Sequence, residues 1–238
     1  NLQLFHAASA QRQMLGSINC SLVVYEAELI NTANGECRSL SQQSQPGREE
    51  QLAKAAKKLL PVTDTAPSVL LLLPTSDFVA THFNLGISGA NLLKSALRLQ
   101  APTLLPAYEE NLLLALSGDK PEGIAMWYPQ AAADALFQAF AAENLHLAAI
   151  MPRSMAVAST DSAAALNQFV LDEDEHYLSL LELEQNTLRS CLNMQRAELQ
   201  DPAFNAQWQM ALARMPAQSP AAKINKGFWL GLRALLPA

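Results

Sequence analysis

The feature that most constrains the fold is a short, uniformly apolar run that ends at a proline. Ser68–Leu73 reads SVLLLL, and Pro74 follows it. Six residues are too few for an ordinary helix, and a run without polar alternation is typical of a strand that is covered on both faces. The sequence therefore predicts an α/β fold, or α+β with mixed sheets, in which this strand lies at the centre of a sheet.

Further elements are predicted on both sides of this strand. A β-meander opens the chain over 21–32 and ends at the turn Asn34-Gly35, and the alternation over 77–85 predicts a strand that forms a hairpin with the central strand. A helix over 89–100, capped by Ser88 and ended by Pro102, is expected to pack on the sheet through one apolar face made of Leu92, Leu93, Ala96, Leu97 and Leu99.

The rest of the chain continues the alternation of strands and helices. The segment 123–151 has the pattern of a β-α-β unit, Gln185-Asn186 is a plausible hairpin turn, and Asp201 is a helix cap. The remaining predicted elements are helices over 47–60, 130–143 and 202–215 and strands over 111–116, 123–128, 145–151, 177–184 and 187–195.

Composition excludes several classes of protein. With 238 residues and 50% hydrophobic content, the chain can build one large or two small domains around a substantial core. A net charge of −6 argues against nucleic acid as a partner. Three widely spaced cysteines fit neither a zinc site nor a disulfide scaffold, so a reducing compartment is expected. The chain opens with neither Met nor signal-peptide features, so it is expected to be a trimmed piece of a longer protein.

Two groups of acidic residues are candidate partner-binding sites. Glu109 and Glu110 stand directly before the apolar run 112–116, where they mark either a docking point for a basic partner or a solvated corner. A second group, Asp172, Glu173, Asp174 and Glu175, places four carboxylates in succession. Their mutual repulsion would be relieved by a cationic partner surface, and an exposed loop is the alternative.

The C-terminal segment is basic. Residues 202–238 contain no Asp or Glu, and the segment ends in GFWLGLRALLPA. Aromatic and aliphatic side chains between cations are typical of the cytoplasmic segment of a membrane protein that directly precedes its membrane-spanning helix. The candidate membrane-proximal residues are Lys223, Lys226, Trp229 and Arg233. A terminal amphipathic helix that packs on the body of the protein is the alternative, and the pattern leaves both open.

The run VLLLLPTSDFVATHFNL, followed by NLLKSALRLQAPTLLPAYEENLLLAL, resembles the cytoplasmic part of the L-type inner-membrane platform protein of bacterial type II secretion. In that family an apolar strand ends in Leu-Pro, a second strand precedes a helix, and an acidic bend leads into the next strand. GIAMWY, LHLAAIMP and the basic tail follow in the family's order. Pilus-assembly proteins of actin-like fold match nearly as well.

The resemblance implies an actin-like architecture of linked RNase-H-like subdomains. It divides the chain into a first half over 1–153, a smaller subdomain over 154–222 and a juxtamembrane-like tail over 223–238. It also implies a scaffold without chemistry of its own at the cytoplasmic face of the inner membrane, in a protein that crosses the membrane once. The partners expected from it are the secretion assembly ATPase and other platform proteins, and it leaves a homodimer open.

No catalytic, cofactor-binding or metal-binding residue is predicted. Actin-like enzymes hold phosphates with glycine-rich turns that open each half, whereas the candidate segments LFHAASAQRQMLGS and LELEQNTL lack that pattern. The four histidines have no ligand spacing, and Ser17, Ser88 and Ser154 lie in no nucleophile elbow. A diverged nucleotide-binding enzyme and a self-contained soluble binding module remain alternatives to the scaffold.

Overall fold

The computed structural model describes residues 18–41, 47–60, 66–108, 110–158, 167–184, 187–215 and 221–231. The helices are α1 (Arg48–Leu59), α2 (Ala90–Leu104), α3 (Gln130–Ala142), α4 (Arg153–Ala158), α5 (Pro202–Ala213) and α6 (Lys226–Gly231). The strands are β1 (Cys20–Tyr25), β2 (Glu28–Asn31), β3 (Cys37–Ser39), β4 (Ser68–Leu73), β5 (Val79–Asn84), β6 (Leu112–Leu116), β7 (Glu122–Pro129), β8 (His146–Pro152), β9 (Asn167–Glu173), β10 (Tyr177–Glu184), β11 (Thr187–Gln195) and β12 (Ala222–Ile224).

The central sheet has five strands in the order β3-β2-β1-β4-β8. β1, β2 and β3 form the predicted antiparallel meander, while β4 pairs in parallel with β1 and β8. β4 is buried on both faces, as its apolar sequence predicts. Leu71 packs towards the side chains of α1 and α3, and Leu72 packs on the other face, among side chains that include Trp229.

A three-stranded antiparallel sheet, ordered β5-β7-β6, is inserted between β4 and β8. The predicted hairpin between β4 and β5 is wrong, because a 3-10 turn at Thr75–Asp77 leads the chain out of the central sheet. The β-α-β prediction over 123–151 is also wrong as a unit of one sheet, since β7 belongs to the inserted sheet and β8 to the central one.

Helix α2 departs from its predicted form at both ends and on its outer face. It begins after Gly89 rather than at a Ser88 cap, and it continues through Pro102 in its last turn, where the helix lacks the hydrogen bond that a backbone N–H at this position would donate to residue 98. Only Leu93 and Leu97 of the predicted apolar face are buried.

The second half repeats the arrangement of the first. Its sheet has the order β11-β10-β9-β12, in which three antiparallel strands form a meander and β12 pairs in parallel with β9. The central sheet has the same order from β3 to β4. This repeated strand order agrees with the predicted actin-like architecture, in which two subdomains of the same topology are linked. None of the helices that the structure describes is both long and apolar enough to span a bilayer.

Candidate functional site

The first hairpin turns of the two halves lie side by side. The turn between β1 and β2 contains Glu26, which adopts a left-handed backbone conformation with φ +53°. The turn between β9 and β10 follows Glu173, whose backbone carbonyl accepts a hydrogen bond of 2.7 Å from the Tyr25 hydroxyl. Between the turns lies an open cleft of about 480 Å³, here called the acidic cleft, which is lined by Tyr25, Glu26, Glu173, Asp174, Glu175, Arg196 and Asn225.

Beneath the acidic cleft, Arg153 joins the two halves. Its Nε lies 2.8 Å from Asp172 Oδ1 and its Nη2 lies 3.0 Å from Asp174 Oδ2. Its Nη1 donates to the Val24 carbonyl at 2.9 Å, and its guanidinium carbon lies 4.7 Å from the centroid of the Tyr25 ring. The Arg153 side chain is only 1% exposed, and its guanidinium contacts two carboxylates, a backbone carbonyl and the face of an aromatic ring.

Two hydroxyl groups complete this buried cluster. Thr75 Oγ1 donates to Asp172 Oδ2 at 2.7 Å, and the Ser154 hydroxyl lies 2.7 Å from the same Thr75 oxygen. Because the Thr75 hydrogen is used by the carboxylate, Ser154 must be the donor in the second bond. We call Thr75, Arg153, Ser154, Asp172 and Asp174 the junction cluster.

Burial raises the pKa of Asp172, while the charge of Arg153 and the hydrogen bonds from Thr75 and Arg153 act in the opposite direction. The carboxyl group depends on these partners because a buried anion without them would be strongly disfavoured. The junction cluster gathers where three strands end: Thr75 opens the 3-10 turn that follows β4, Arg153 and Ser154 begin α4 directly after β8, and Asp172 and Asp174 lie at the end of β9 and one residue beyond it. The cluster thus fixes the relative position of the two sheets.

The interpretation of residues 172–175 as four surface carboxylates is wrong for Asp172, which is buried and paired within the chain. Successive strand residues point to opposite faces, so the end of β9 turns Asp172 inward and leaves Glu173 at the surface. Asp174 is also engaged, because its Oδ1 accepts hydrogen bonds from the backbone of His176 and Tyr177. Partner binding stays a prediction for the more exposed acids, Glu173 and Glu175.

The other acidic pair is placed elsewhere. Glu110 is exposed just before β6 and does not line the acidic cleft. Glu109 lies outside the described residues. Their proposed docking role stays a prediction.

The basic segment packs on the body as far as residue 230. Trp229 is fully buried, and its indole N–H finds no hydrogen-bond partner among the described residues. A Cβ at Gly35 would lie 3.3 Å from the Leu230 carbonyl oxygen, so α6 lies close against the turn between β2 and β3. Trp229 therefore offers no apolar surface to lipid, because its ring is used within the protein core, and the membrane-proximal position of this segment stays a prediction.

The cations of this segment have different positions. Lys226 forms an ion pair with Glu28, and this hydrogen bond is the main reason why the pKa of Lys226 is raised. Lys223 is exposed, and Arg233 lies outside the described residues. The expected boundary between 222 and 223 falls inside β12, so the tail does not begin there as a separate segment.

The acidic cleft is poorly suited to phosphate. The candidate phosphate segment LELEQNTL joins β10 to β11, whereas the first turns of the two meanders are those at Glu26 and at Asp174–His176. Neither turn contains glycine, and both place carboxylates where a phosphate anion would have to approach. LFHAASAQRQMLGS, residues 4–17, lies outside the described residues. Among the described residues, no group of three His, Cys, Asp or Glu side chains is arranged to hold a metal ion.

Sequence reasoning missed Arg153 and Thr75 and treated Ser154 only as a nucleophile candidate. One signal was present: in a chain with 16% charged residues, Arg153 directly follows a strongly apolar strand. A charge at that position is typical of a buried pair when an acid ends another apolar strand, as Asp172 does after Phe169 and Val170. The long separation of 19 residues along the chain concealed the pair.

Comparison with known proteins gives matches of structure only. No family model matches the sequence, and no curated protein matches it. A chain of a PilM-PilN type IV pilus biogenesis complex is similar, with a TM-score of 0.58 and 15% identity over 81% of this chain and 67% of that chain. This likeness shows that the protein has an actin-like, mixed α/β fold, as the resemblance implied.

Two further solved structures overlap more loosely. One is the cytoplasmic domain of EpsL, an inner membrane component of the type II secretion system of Vibrio cholerae, with a TM-score of 0.44 and 14% identity over 84% of this chain and 76% of that chain. The other is a Bacteroides thetaiotaomicron protein with an actin-like ATPase fold, with a TM-score of 0.45 and 8% identity over 84% of this chain and 78% of that chain.

Proposed function

We propose that this chain is a non-enzymatic scaffold of a bacterial inner-membrane platform, of the type II secretion or the type IV pilus kind. It lies at the cytoplasmic face of the membrane and holds the assembly ATPase against other platform proteins. Two findings support the proposal: the sequence resemblance described above, and the fold shared with a chain of a pilus biogenesis complex.

The observation that carries the non-enzymatic part is the chemistry of the two hairpin turns. An actin-like enzyme needs backbone N–H groups that can approach phosphate oxygens, and glycine permits that approach. Here the turns present Glu26, Glu173 and Glu175 instead, and Arg196 is the only cation among the described residues that line the acidic cleft. Arg196 is already engaged, since its Nε donates to the Asp174 carbonyl at 2.6 Å and Nη2 lies 3.4 Å from Glu173.

The junction cluster supports the same proposal. A nucleotide-driven enzyme of two lobes relies on relative motion of those lobes around its ligand. In this protein the first half supplies Thr75 and Arg153, and the second half supplies Asp172 and Asp174, all in direct contact. Separation of the halves would expose a buried ion pair, so we propose that the domain acts as one rigid unit.

The exposed carboxylates of the acidic cleft are the proposed contact for the ATPase. Glu26 and Glu175 are exposed and Glu173 is partly exposed, while the buried members of the junction cluster hold the turn beneath them in place. A negative surface of this kind attracts a cationic partner surface and accelerates its association at low ionic strength.

A binding experiment tests the proposal. The folded chain is immobilised and titrated with the N-terminal domain of a type II secretion ATPase and, separately, with that of a pilus assembly ATPase. We expect one of them to bind, and we expect Glu175→Lys to weaken that binding by about tenfold or more. Asp119→Lys is the matched control, because Asp119 is also exposed but does not line the acidic cleft. Absence of binding to both ATPases, or equal effects of the two substitutions, would contradict the proposal.

A further inference from the structure

Helix α2 carries an apolar strip that stays exposed among the residues that the structure describes. The helix packs on the inserted sheet through Leu93 and Leu97, which are fully buried. Leu92 and Leu99 are 64% and 85% exposed, and Ile87, three residues before the helix begins, is 37% exposed. Single exposed apolar side chains are common on protein surfaces. Several of them in a line indicate a surface that another molecule covers.

The spacing of the strip is that of a helix-packing seam. Leu92 and Leu99 are separated by seven residues, which is close to two helical turns, so they lie on the same side of α2. Ser95 lies between them, and its short side chain, which donates to the Asn91 carbonyl at 3.0 Å, leaves room for a second helix to approach. The positions Leu92, Ser95 and Leu99 follow the a, d, a order of a heptad.

The flank of this strip is positive. Residues 78–108 contain no Asp or Glu, although the chain has 22 of them, and α2 carries Lys94 and Arg98. Arg98 is exposed, and its charge adds to burial in lowering the pKa of Lys94. An anionic partner is therefore complementary to this helix. We call Leu92, Ser95, Arg98 and Leu99 the α2 face.

The charge pattern distinguishes between possible occupants. A second copy of the chain would bring the same cations to the interface and no acid from its own α2, so pairing of two α2 faces would set like charges together. A helix that lies on a membrane surface has a broad apolar face with cations along its polar face. The strip here is a single line formed by Leu92 and Leu99, with cations on one side only.

We propose that the α2 face docks an amphipathic helix of a partner protein, which inserts apolar side chains around Leu92 and Leu99 and places Asp or Glu beside Arg98. This surface lies on the inserted sheet, apart from the acidic cleft. It therefore adds to the scaffold a second contact, of the opposite charge, and either contact can fail without the other.

The test uses two synthetic peptides of three heptads with Leu at the a and d positions. One has Glu at the e and g positions and the other has Lys, so that like charges oppose self-pairing of each peptide. Fluorescence anisotropy measures their binding to the folded chain. We expect the Glu peptide to bind about tenfold or more tightly than the Lys peptide, and Arg98→Glu to remove or reverse that preference.

Substitutions on the surface separate this site from non-specific binding. The double variant Leu92→Ser, Leu99→Ser is expected to weaken binding of the Glu peptide by about tenfold or more. Met210→Ser on α5 is the matched control, since Met210 is 67% exposed and lies on a different helix. Circular dichroism and a thermal unfolding curve check that the variants retain the fold.

Three results would overturn the proposal. The first is equal binding of the two peptides or no binding of either. The second is sedimentation of the protein with phosphatidylglycerol vesicles that is lost in the double leucine variant, which would assign the face to a membrane. The third is a dimer in analytical ultracentrifugation that becomes a monomer in that variant, which would assign it to a second copy.

Discussion

Arg153 Nε lies 2.8 Å from Asp172 Oδ1, and the two side chains are 1% and 0% exposed. Arg153 begins α4, directly after the last strand of the central sheet, and Asp172 belongs to the first strand of the second sheet. One buried ion pair therefore connects the two repeated halves at the base of the acidic cleft. The rigidity that we propose for the domain depends on this contact.

We expect Arg153→Met to lower the free energy of unfolding by about 3–5 kcal/mol, because it leaves the Asp172 carboxyl group buried without its cation. Urea denaturation measures the change. Arg196→Met is the matched control and should cost at most about 1 kcal/mol, since the Arg196 side chain is 42% exposed. Adding Asp172→Asn to Arg153→Met should recover part of the loss, and a cost for Arg153→Met no larger than that of the control would contradict the role given to this pair.

Thr75→Val tests the hydroxyl part of the junction cluster. The change keeps the shape of the side chain but removes the donor to Asp172 and the acceptor for Ser154. We expect a loss of about 1–3 kcal/mol in urea denaturation, because buried partners are left unsatisfied. Thr103→Val, at an exposed position of α2, should change the stability by less than about 0.5 kcal/mol. Equal effects at the two positions would show that the hydroxyl of Thr75 contributes nothing specific.

The attachment of the C-terminal segment is tested at two adjacent residues. Trp229→Ala should lower the free energy of unfolding by about 3–5 kcal/mol, because Trp229 is fully buried and its removal leaves a cavity. Leu230→Ala should cost less than about 1 kcal/mol, since Leu230 is 44% exposed. If Trp229→Ala leaves the denaturation midpoint unchanged, α6 does not pack on the body in solution.

Local signals in the sequence predicted much of the fold. The apolar run before Pro74, the Asp201 cap and the alternation in β10 and β11 each depend on neighbouring residues, and each prediction is confirmed. The partners of the strands could not be predicted in the same way. β5 pairs with β7 across about forty intervening residues rather than with adjacent β4, and only tertiary packing decides between these pairings.

The site shows the same division between local and distant information. The run of acids at 172–175 was visible, but its division into buried Asp172 and exposed Glu175 depends on Arg153, which lies far away in the sequence. The sequence of the C-terminal segment predicted a membrane-proximal segment and a packed helix equally well, because an apolar surface suits either environment. Contact with the turn at Gly35 and the burial of Trp229 show a packed helix as far as Leu230.

The thiol of Cys191 is buried close enough to the junction cluster to sense the charge of Asp172. Burial, and then the neighbouring Asp172 charge, raise its pKa to about 12 from an ordinary 9.0. Alkylation requires the thiolate, so in a Cys20→Ser, Cys37→Ser background its rate should keep rising about tenfold per pH unit between pH 8 and 10. The urea-unfolded chain is the control and should level off near pH 9 to 10. A plateau near pH 9 in the folded chain would contradict the enclosed environment of Cys191.

The most direct test of the central claim is a calorimetric titration of the folded chain with ATP in the presence of Mg²⁺. The acidic, glycine-free turns predict no saturable heat up to about 1 mM ATP, because the acidic cleft repels phosphate and offers it no backbone cradle. Saturable binding at micromolar concentration would contradict the account and would make the protein a nucleotide-binding member of the actin-like fold.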